Sequence, residues 1–147
     1  AFKEALEPEF KTYSQKLVNN AKVLAESLLS FGYDLVSNGT DTHIILIDLT
    51  KEEITGKKAE KVLESAGITT NKNMVPFDQR SPLVTSGIRI GTPAMTTRGM
   101  GNDEMRYIAE LIHKVIKNID DTRIISDVKD DVRNLCLSYP LYQEQVV

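Results

Sequence analysis

An arginine in the middle of an apolar strand pattern is the feature that most restricts how this chain can fold. The pattern runs from Gly87 to Gly91, and Arg89 stands at its centre between Ile88 and Ile90. Because alternate residues of a strand share a face, the two isoleucines are predicted to anchor the strand in a core, while Arg89 and the glycines point the other way. The glycines are expected to leave bare backbone on both sides of the guanidinium, so that a ligand can come close.

A guanidinium in such a slot suits a small carboxylate, because its planar fork can donate two parallel hydrogen bonds to the carboxylate oxygens. The alternative is an edge-strand arginine in a surface ion pair, which is the commoner role of an arbitrary arginine. The flanking glycines favour ligand binding, but their spacing alone does not decide between the two. Arg89 is therefore a candidate carboxylate-binding residue.

Hydrophobic spacing predicts helices packed on a small sheet. The predicted helices cover residues 1–7, 10–32, 55–67, 102–119 and 125–135, and the predicted strands cover 33–37, 43–49, 68–70 and 87–91. Thr55 and Asn102 are the predicted N-caps of two of these helices. The strand at 43–49 is apolar at nearly every position, so we expect it to be covered on both faces. The sequence thus predicts one α+β domain with a mostly antiparallel sheet.

A long polar connection precedes the arginine strand. It covers residues 71–85, and a connection of this length in a compact domain is more often functional than decorative. Within it, Asn71 and Asn73 could offer an amide to a heterocycle, since an asparagine side chain both donates and accepts hydrogen bonds. Turn formation is the commoner role of asparagine in loops, and the residues alone favour it.

Charge and cysteine content exclude several functional classes. The net charge is −3, with acidic and basic residues mixed along the chain, which argues against a nucleic-acid partner and against a basic membrane-binding helix. No apolar stretch reaches transmembrane length, and no charged-then-apolar leader is recognised. The single cysteine, Cys136, excludes an internal disulfide and fits a reducing, cytoplasmic compartment.

The sequence offers no obvious catalytic group. His43 and His113 are not spaced as a pair, so each is predicted to be a structural or surface residue, and no metal-ligand cluster is predicted. No Ser-His-Asp arrangement stands out. The glycines at 99 and 101 are typical of a helix start rather than of a phosphate-binding loop. The residues themselves therefore predict a carboxylate site at Arg89 beside a polar loop, which is half of an active site.

A resemblance to a known family covers practically the whole chain. It is strongest in TSGIRIGTPA at 85–94 and TRG at 97–99, and it extends to NKN at 71–73, Ser81-Pro82, FKEALEPEFKTY at 2–13 and GTDTH at 39–43. In order and spacing, these segments resemble the carboxyl-terminal part of bacterial-type serine hydroxymethyltransferases.

The resemblance implies a pyridoxal-phosphate enzyme with the aspartate-aminotransferase-like (type I) fold, acting as a homodimer or larger assembly. The family transfers the hydroxymethyl carbon of serine to tetrahydrofolate, giving glycine and 5,10-methylenetetrahydrofolate. Residues 1–147 would be its small carboxyl-terminal domain, without the large cofactor-binding domain. The resemblance further implies that Arg89 binds the substrate carboxylate, that Asn73 hydrogen-bonds the pterin ring of the folate and that Ser81 makes a neighbouring folate contact. Arg98 lies in the motif without an assigned ligand.

The chain departs from the family pattern in what it lacks. The family's cofactor-binding lysine follows a threonine-rich segment that ends in His-Lys, whereas here Thr42-His43 is followed by Ile44. The cofactor's stacking histidine, its aspartate partner and its phosphate loop are also missing. We therefore expect no catalytic residue in this chain and no turnover by it alone. Two alternatives are a stand-alone folate- or protein-binding module and a domain of another type I pyridoxal-phosphate enzyme.

Overall fold

A computed structural model describes residues 2–141, which form six α-helices and four strands. The helices are α1 (Phe2–Ala5), α2 (Pro8–Ser30), α3 (Gly56–Ser65), α4 (Pro93–Thr97), α5 (Asn102–Lys117) and α6 (Thr122–Ser138). The strands are β1 (Asp34–Leu35), β2 (Ile44–Asp48), β3 (Asn71–Asn73) and β4 (Gly87–Gly91), and a short 3₁₀ turn covers Val36–Asn38. None of these helices is long and apolar enough to cross a membrane.

The long second helix confirms the prediction, with each end displaced by two residues from the predicted 10–32. Pro8 occupies its first turn, where a residue without an N–H loses no helical hydrogen bond. Its buried side is formed by Asn20, Ala21, Leu24, Ala25 and Leu28. Gly32 follows the helix with φ +89°, a left-handed conformation that suits glycine at a helix end.

Side chains of the flanking residues cap two helices, α3 through Thr55 and α6 through Asp121. The hydroxyl of Thr55 accepts a hydrogen bond from the Lys58 N–H at 3.1 Å at the start of α3, which confirms the predicted cap. The prediction for α5 is wrong by one residue, because Gly101 is its N-cap and Asn102 is its first helical residue. The Glu104 carboxylate accepts the Gly101 N–H at 2.8 Å, which satisfies the backbone at that end without an asparagine side chain.

The four strands form one sheet in the order β1-β2-β4-β3, and every neighbouring pair is antiparallel. β4 is therefore an inner strand, paired with β2 on one side and with β3 on the other. This arrangement confirms the predicted α+β class with helices on a small antiparallel sheet.

Within residues 2–141 the helices bury one face of this sheet and leave the other partly exposed. Its inward residues join the helices in one hydrophobic core that includes Leu28, Ile45, Ile47, Leu63, Ile88, Ile90, Met105 and Ile112. On the opposite face, which we call the outer face, Leu46 is only partly buried and Ile44 is 39% exposed. The expectation that β2 is covered on both faces is therefore wrong for the described residues, because its outward residues stay partly exposed.

The prediction of a strand at 68–70 is also wrong, because the pairing of β3 with β4 begins at Asn71. The N–H of Ile68 binds the Leu63 carbonyl at 2.9 Å, and the N–H of Gly67 binds the Glu64 carbonyl at 2.9 Å. This pair of bonds is a Schellman motif, in which an apolar residue after the glycine commonly packs back on the helix. Ile68 thus terminates α3 and packs against the core, and its apolar character reflects that role.

Candidate functional site

Arg89 lies at the centre of the outer face. It is directly opposite Leu46 on β2 and Asn71 on β3, so two paired strands fix its backbone. Its side chain is exposed, and within residues 2–141 the guanidinium makes neither a hydrogen bond nor an ion pair. The surface ion pair that the sequence left open is therefore not formed within the described residues. The permanently charged fork is available to an external anion.

The two glycines that flank Arg89 do not have the same surroundings. Gly87 is buried, and a Cβ atom built on it would lie 2.7 Å from the Ile47 carbonyl oxygen and 2.7 Å from Val75 Cγ1. Gly91 is exposed, although its Cβ would come within 3.0 Å of the His43 carbonyl oxygen. The expectation of bare backbone on both sides is thus wrong for Gly87, which Val75 covers, and it holds only on the Gly91 side.

Asn73 shares the outer face with Arg89. It lies opposite Gly87 at the end of β3, which makes it a diagonal neighbour of Arg89, and such pairs are typically about 7–8 Å apart. Its amide Nδ2 donates to the Met74 carbonyl at 2.7 Å, and within residues 2–141 its amide oxygen has no donor. The predicted loop at 71–85 is corrected here, because its first three residues are strand. The sheet therefore holds Asn73 in place.

Ser81 lies in the segment of residues 74–86 that joins β3 to β4, which we call the connecting segment. Its carbonyl accepts hydrogen bonds from the N–H groups of Val84 and Thr85, each at 2.9 Å. Its side chain is exposed and its hydroxyl has no partner within the described residues. The structure thus brings Arg89 and Asn73 together on one face and places Ser81 on the connection between their strands.

An aspartate that sequence reasoning missed organises the connecting segment. Asp78 accepts hydrogen bonds from the backbone N–H groups of Val75 (3.3 Å), Arg80 (2.9 Å) and Ser86 (2.8 Å), and from the Ser86 hydroxyl (2.6 Å). Burial opposes its ionisation, but these hydrogen bonds outweigh burial and lower the pKa of Asp78 to about 2. The signal in the sequence is an aspartate two residues after Pro76, a pattern typical of a turn.

Two of the remaining polar candidates, His113 and Arg98, have structural partners. His113 contacts the Tyr33 hydroxyl through Nδ1 at 3.1 Å and stacks on Phe31 at 4.4 Å, and burial lowers its pKa. Arg98 donates to the Tyr139 carbonyl at 2.9 Å, at the end of α6. His43 is exposed where β2 begins. Residues 2–141 contain no group of three His, Cys, Asp or Glu side chains that could hold a metal ion.

Comparison with known protein families agrees with this arrangement. The family model described as Serine hydroxymethyltransferase matches residues 1–112 of the 147. The match includes all four strands, the connecting segment and the outer face with Arg89 and Asn73. It covers well over half of the chain and agrees with the motifs of the sequence and with the α+β fold. The chain belongs to the serine hydroxymethyltransferase family.

Proposed function

We propose that the protein that carries this chain interconverts serine plus tetrahydrofolate and glycine plus 5,10-methylenetetrahydrofolate. Its family is one of pyridoxal-phosphate-dependent transferases of one-carbon metabolism. In this proposal residues 1–147 are the small carboxyl-terminal domain, which binds substrates, and the large cofactor-binding domain is separate from it. The observation that carries the proposal is the exposed guanidinium of Arg89, which has no acidic partner within residues 2–141 and stands at the centre of the outer face.

Arg89 binds and orients the carboxylate of the amino acid. A guanidinium can hold both carboxylate oxygens through two parallel hydrogen bonds, which fixes rotation as well as position. Because β4 is paired on both sides, its backbone moves little, and the bound carboxylate keeps its orientation. The orientation of the carboxylate in turn sets which bond at the α-carbon is presented for reaction.

Asn73 and Ser81 form the folate side of the proposed site. The free amide oxygen of Asn73 can accept a hydrogen bond from a donor on the pterin ring, while the bond from its Nδ2 to the Met74 carbonyl fixes which way the amide faces. The unpartnered Ser81 hydroxyl can supply a second contact. Asn73 ends β3 and Ser81 lies in the connecting segment that follows it, so the proposal places the folate on the β3 side of Arg89.

The residues beside Arg89 do not fit pyridoxal phosphate itself. That cofactor acts as an electron sink and is attached through a lysine. In the part of the chain that the structure describes, the outward positions of the strands carry no lysine, and the Lys72 ammonium lies 3.6 Å from a Glu60 carboxylate oxygen. We therefore place the attachment of the cofactor outside this chain.

The family suggests two further features, which we propose for the complete protein. It acts as a homodimer or larger homo-oligomer, and it works in the cytoplasm, in keeping with the single cysteine. Formation of glycine from serine would make it part of amino-acid biosynthesis. Sedimentation of the purified protein and tagging in its own cells would test the two features separately.

The test is tetrahydrofolate-dependent cleavage of serine by the complete protein, in wild type and in Arg89→Ala. We expect the serine KM to rise by roughly 100-fold and turnover to fall, because losing a bidentate charged contact in a closed site costs about 3 kcal/mol. Arg89→Lys should recover little, since an ammonium cannot reproduce the planar fork. Arg106→Ala is the matched control, because Arg106 pairs with Asp103 on α5 at 2.6 Å, away from the sheet. A near-normal serine KM in Arg89→Ala would reject the proposed role.

A further inference from the structure

The carboxylate of Asp78 closes the connecting segment into a ring. Three of its bonds reach backbone N–H groups, one just after β3 at Val75, one at Arg80, and one just before β4 at Ser86. The fourth comes from the Ser86 hydroxyl. A single side chain therefore ties the beginning of the segment to its end, and four donors on one carboxylate leave the turn between them little freedom.

A second set of contacts attaches the far end of the segment to α3. The N–H groups of Gly56 and Lys57, at the start of that helix, each donate to a carbonyl at 3.0 Å, those of Thr85 and Val84 respectively. A Cβ on Gly56 would collide with the Thr85 hydroxyl, so only glycine allows this approach. Residues 84–86 thus stay in place without Asp78, and they hold the Ser81 carbonyl. Residues 75–80 depend on Asp78 and on the Arg80 guanidinium, which donates to the Ile54 carbonyl at 2.8 Å.

Two residues of the ring have a strained backbone, so contacts with their surroundings must impose its shape. Phe77 and Thr85 adopt φ +59° and φ +57°, values that bulky and β-branched residues rarely take. Phe77 is also 94% exposed, so its own packing cannot explain that conformation. Hydrogen bonds to the neighbouring Asp78 supply the constraint instead.

Arg89 does not depend on this ring. Its backbone is held in the ladder between Leu46 and Asn71, and its side chain has no partner in residues 2–141 that a change at Asp78 could remove. Loosening the turn would displace residues 74–80, which join Asn73 to Ser81 and so set how the two face each other. The carboxylate side of the proposed site, at Arg89, and its folate side, in the connecting segment, are therefore held in place by different contacts.

We propose that Asp78 is a positioning residue for folate: its carboxylate fixes the connecting segment so that Ser81 and the end of β3 meet the folate, while the carboxylate site at Arg89 is unaffected. This inference rests on the proposed function, and it adds a residue that sets affinity for one substrate and not the other. Misplacement of a binding segment by about 1 Å can cost up to about 100-fold in rate, so the expected effect is measurable.

The experiment compares KM values of the complete protein for the two substrates in Asp78→Asn. The amide keeps the size of the side chain but directs an NH₂ group toward backbone N–H donors. We expect the tetrahydrofolate KM to rise by about tenfold and the serine KM to stay within about twofold. Asp78→Glu, which restores the charge, should recover part of the loss. The control is Asp127→Asn, an exposed carboxylate on α6 that makes no hydrogen bond within residues 2–141 and should change neither KM.

Two results would overturn the inference. One is an equal rise in both KM values, which would mean that Asp78 supports the whole site. The other is normal KM values with lowered thermal stability, which would mean a purely structural role. If Asp78→Asn does not fold, Ser86→Ala decides instead, because it removes only the hydroxyl bond to Asp78. It should raise the tetrahydrofolate KM alone, by about threefold, and normal KM values in that variant would likewise refute the inference.

Hydrogen exchange separates failure of this inference from failure of the proposed function. In wild type the N–H groups of Arg80 and Ser86 should exchange slowly, and in Asp78→Asn that of Arg80 should exchange at least about tenfold faster. If the wild-type protein does not cleave serine, the proposed function fails and the inference about folate fails with it, whatever the exchange result. If serine cleavage is normal but Arg80 exchange is unchanged in Asp78→Asn, only the inference fails.

Discussion

At the scale of single residues, Gly87 and Arg89 lie two positions apart on the same face of β4 and have opposite surroundings. The alternation of the sequence correctly predicted that the isoleucines point inward and Arg89 outward, because period-two patterning encodes the faces of a strand. It could not predict that Val75 covers Gly87, because the path of the connecting segment does not follow from local alternation. Gly87 is required for close packing, and only Gly91 leaves open backbone beside the guanidinium.

This difference predicts that Gly87→Ala destabilises the protein. The added methyl group would lie 2.7 Å from the Ile47 carbonyl oxygen, which is backbone of the neighbouring strand and cannot rotate away. Such overpacking costs about 1–3 kcal/mol of unfolding free energy. Urea denaturation followed by circular dichroism measures it. In the control Gly101→Ala, the new Cβ lies 3.6 Å from Glu104, an ordinary contact, so a comparable loss there would contradict the packing explanation.

At the scale of elements, the long helices were predictable and the short elements were not. α2, α5 and α6 each repeat the helical period several times, so their apolar spacing is a strong signal. β3 is Asn71–Asn73, which has no apolar residue, and it is a strand because β4 offers it hydrogen-bond partners. α4, at Pro93–Thr97, spans only five residues and is too short to show a period. The residues alone therefore place Asn73 in a loop and favour a turn there over ligand binding, and its proposed folate role comes from the family resemblance.

The connecting segment should lose stability in acid because of Asp78. Its pKa is about 2 in the folded protein and 3.8 in the unfolded chain, so the ionised carboxylate contributes its full stabilisation only well above pH 3.8. That contribution is lost as the pH falls through the folded pKa. We expect the stability difference between wild type and Asp78→Asn to be constant above about pH 5 and to shrink between about pH 4 and pH 2. Urea midpoints at successive pH values test this, and a difference that grows in acid would contradict it.

At the scale of the whole molecule, the last helix is attached to a residue of the family's sequence motif. α6 lies beyond the region that the family model matches, yet its Val128 is fully buried in the common core. Arg98 belongs to the signature TRG motif and donates to the Tyr139 carbonyl just past α6, and the Tyr139 hydroxyl donates to Glu104 at 2.6 Å. The family resemblance assigns Arg98 no ligand, and the structure shows a structural role for it, which is attachment of the last helix.

Arg98→Ala should therefore lower stability without weakening substrate binding. Loss of a charge-assisted bond to a helix-end carbonyl at a partly buried site should cost about 1–2 kcal/mol. Thermal unfolding and the serine KM of the complete protein are the two measurements. Arg133→Ala, at an exposed arginine of α6 that makes neither a hydrogen bond nor an ion pair within residues 2–141, is the control and should leave both unchanged. A raised serine KM in Arg98→Ala at unchanged stability would instead assign Arg98 to the site.

Because Arg89 has no acidic partner within residues 2–141, its affinity for a substrate carboxylate depends on the anions in the buffer. Within residues 2–141 nothing neutralises Arg89, so mobile anions of the buffer gather there, and an incoming carboxylate must displace them. Substrate affinity should fall as chloride is added, more steeply than affinity for an uncharged analogue. Acetate or sulfate in a crystallisation drop would compete for the same place.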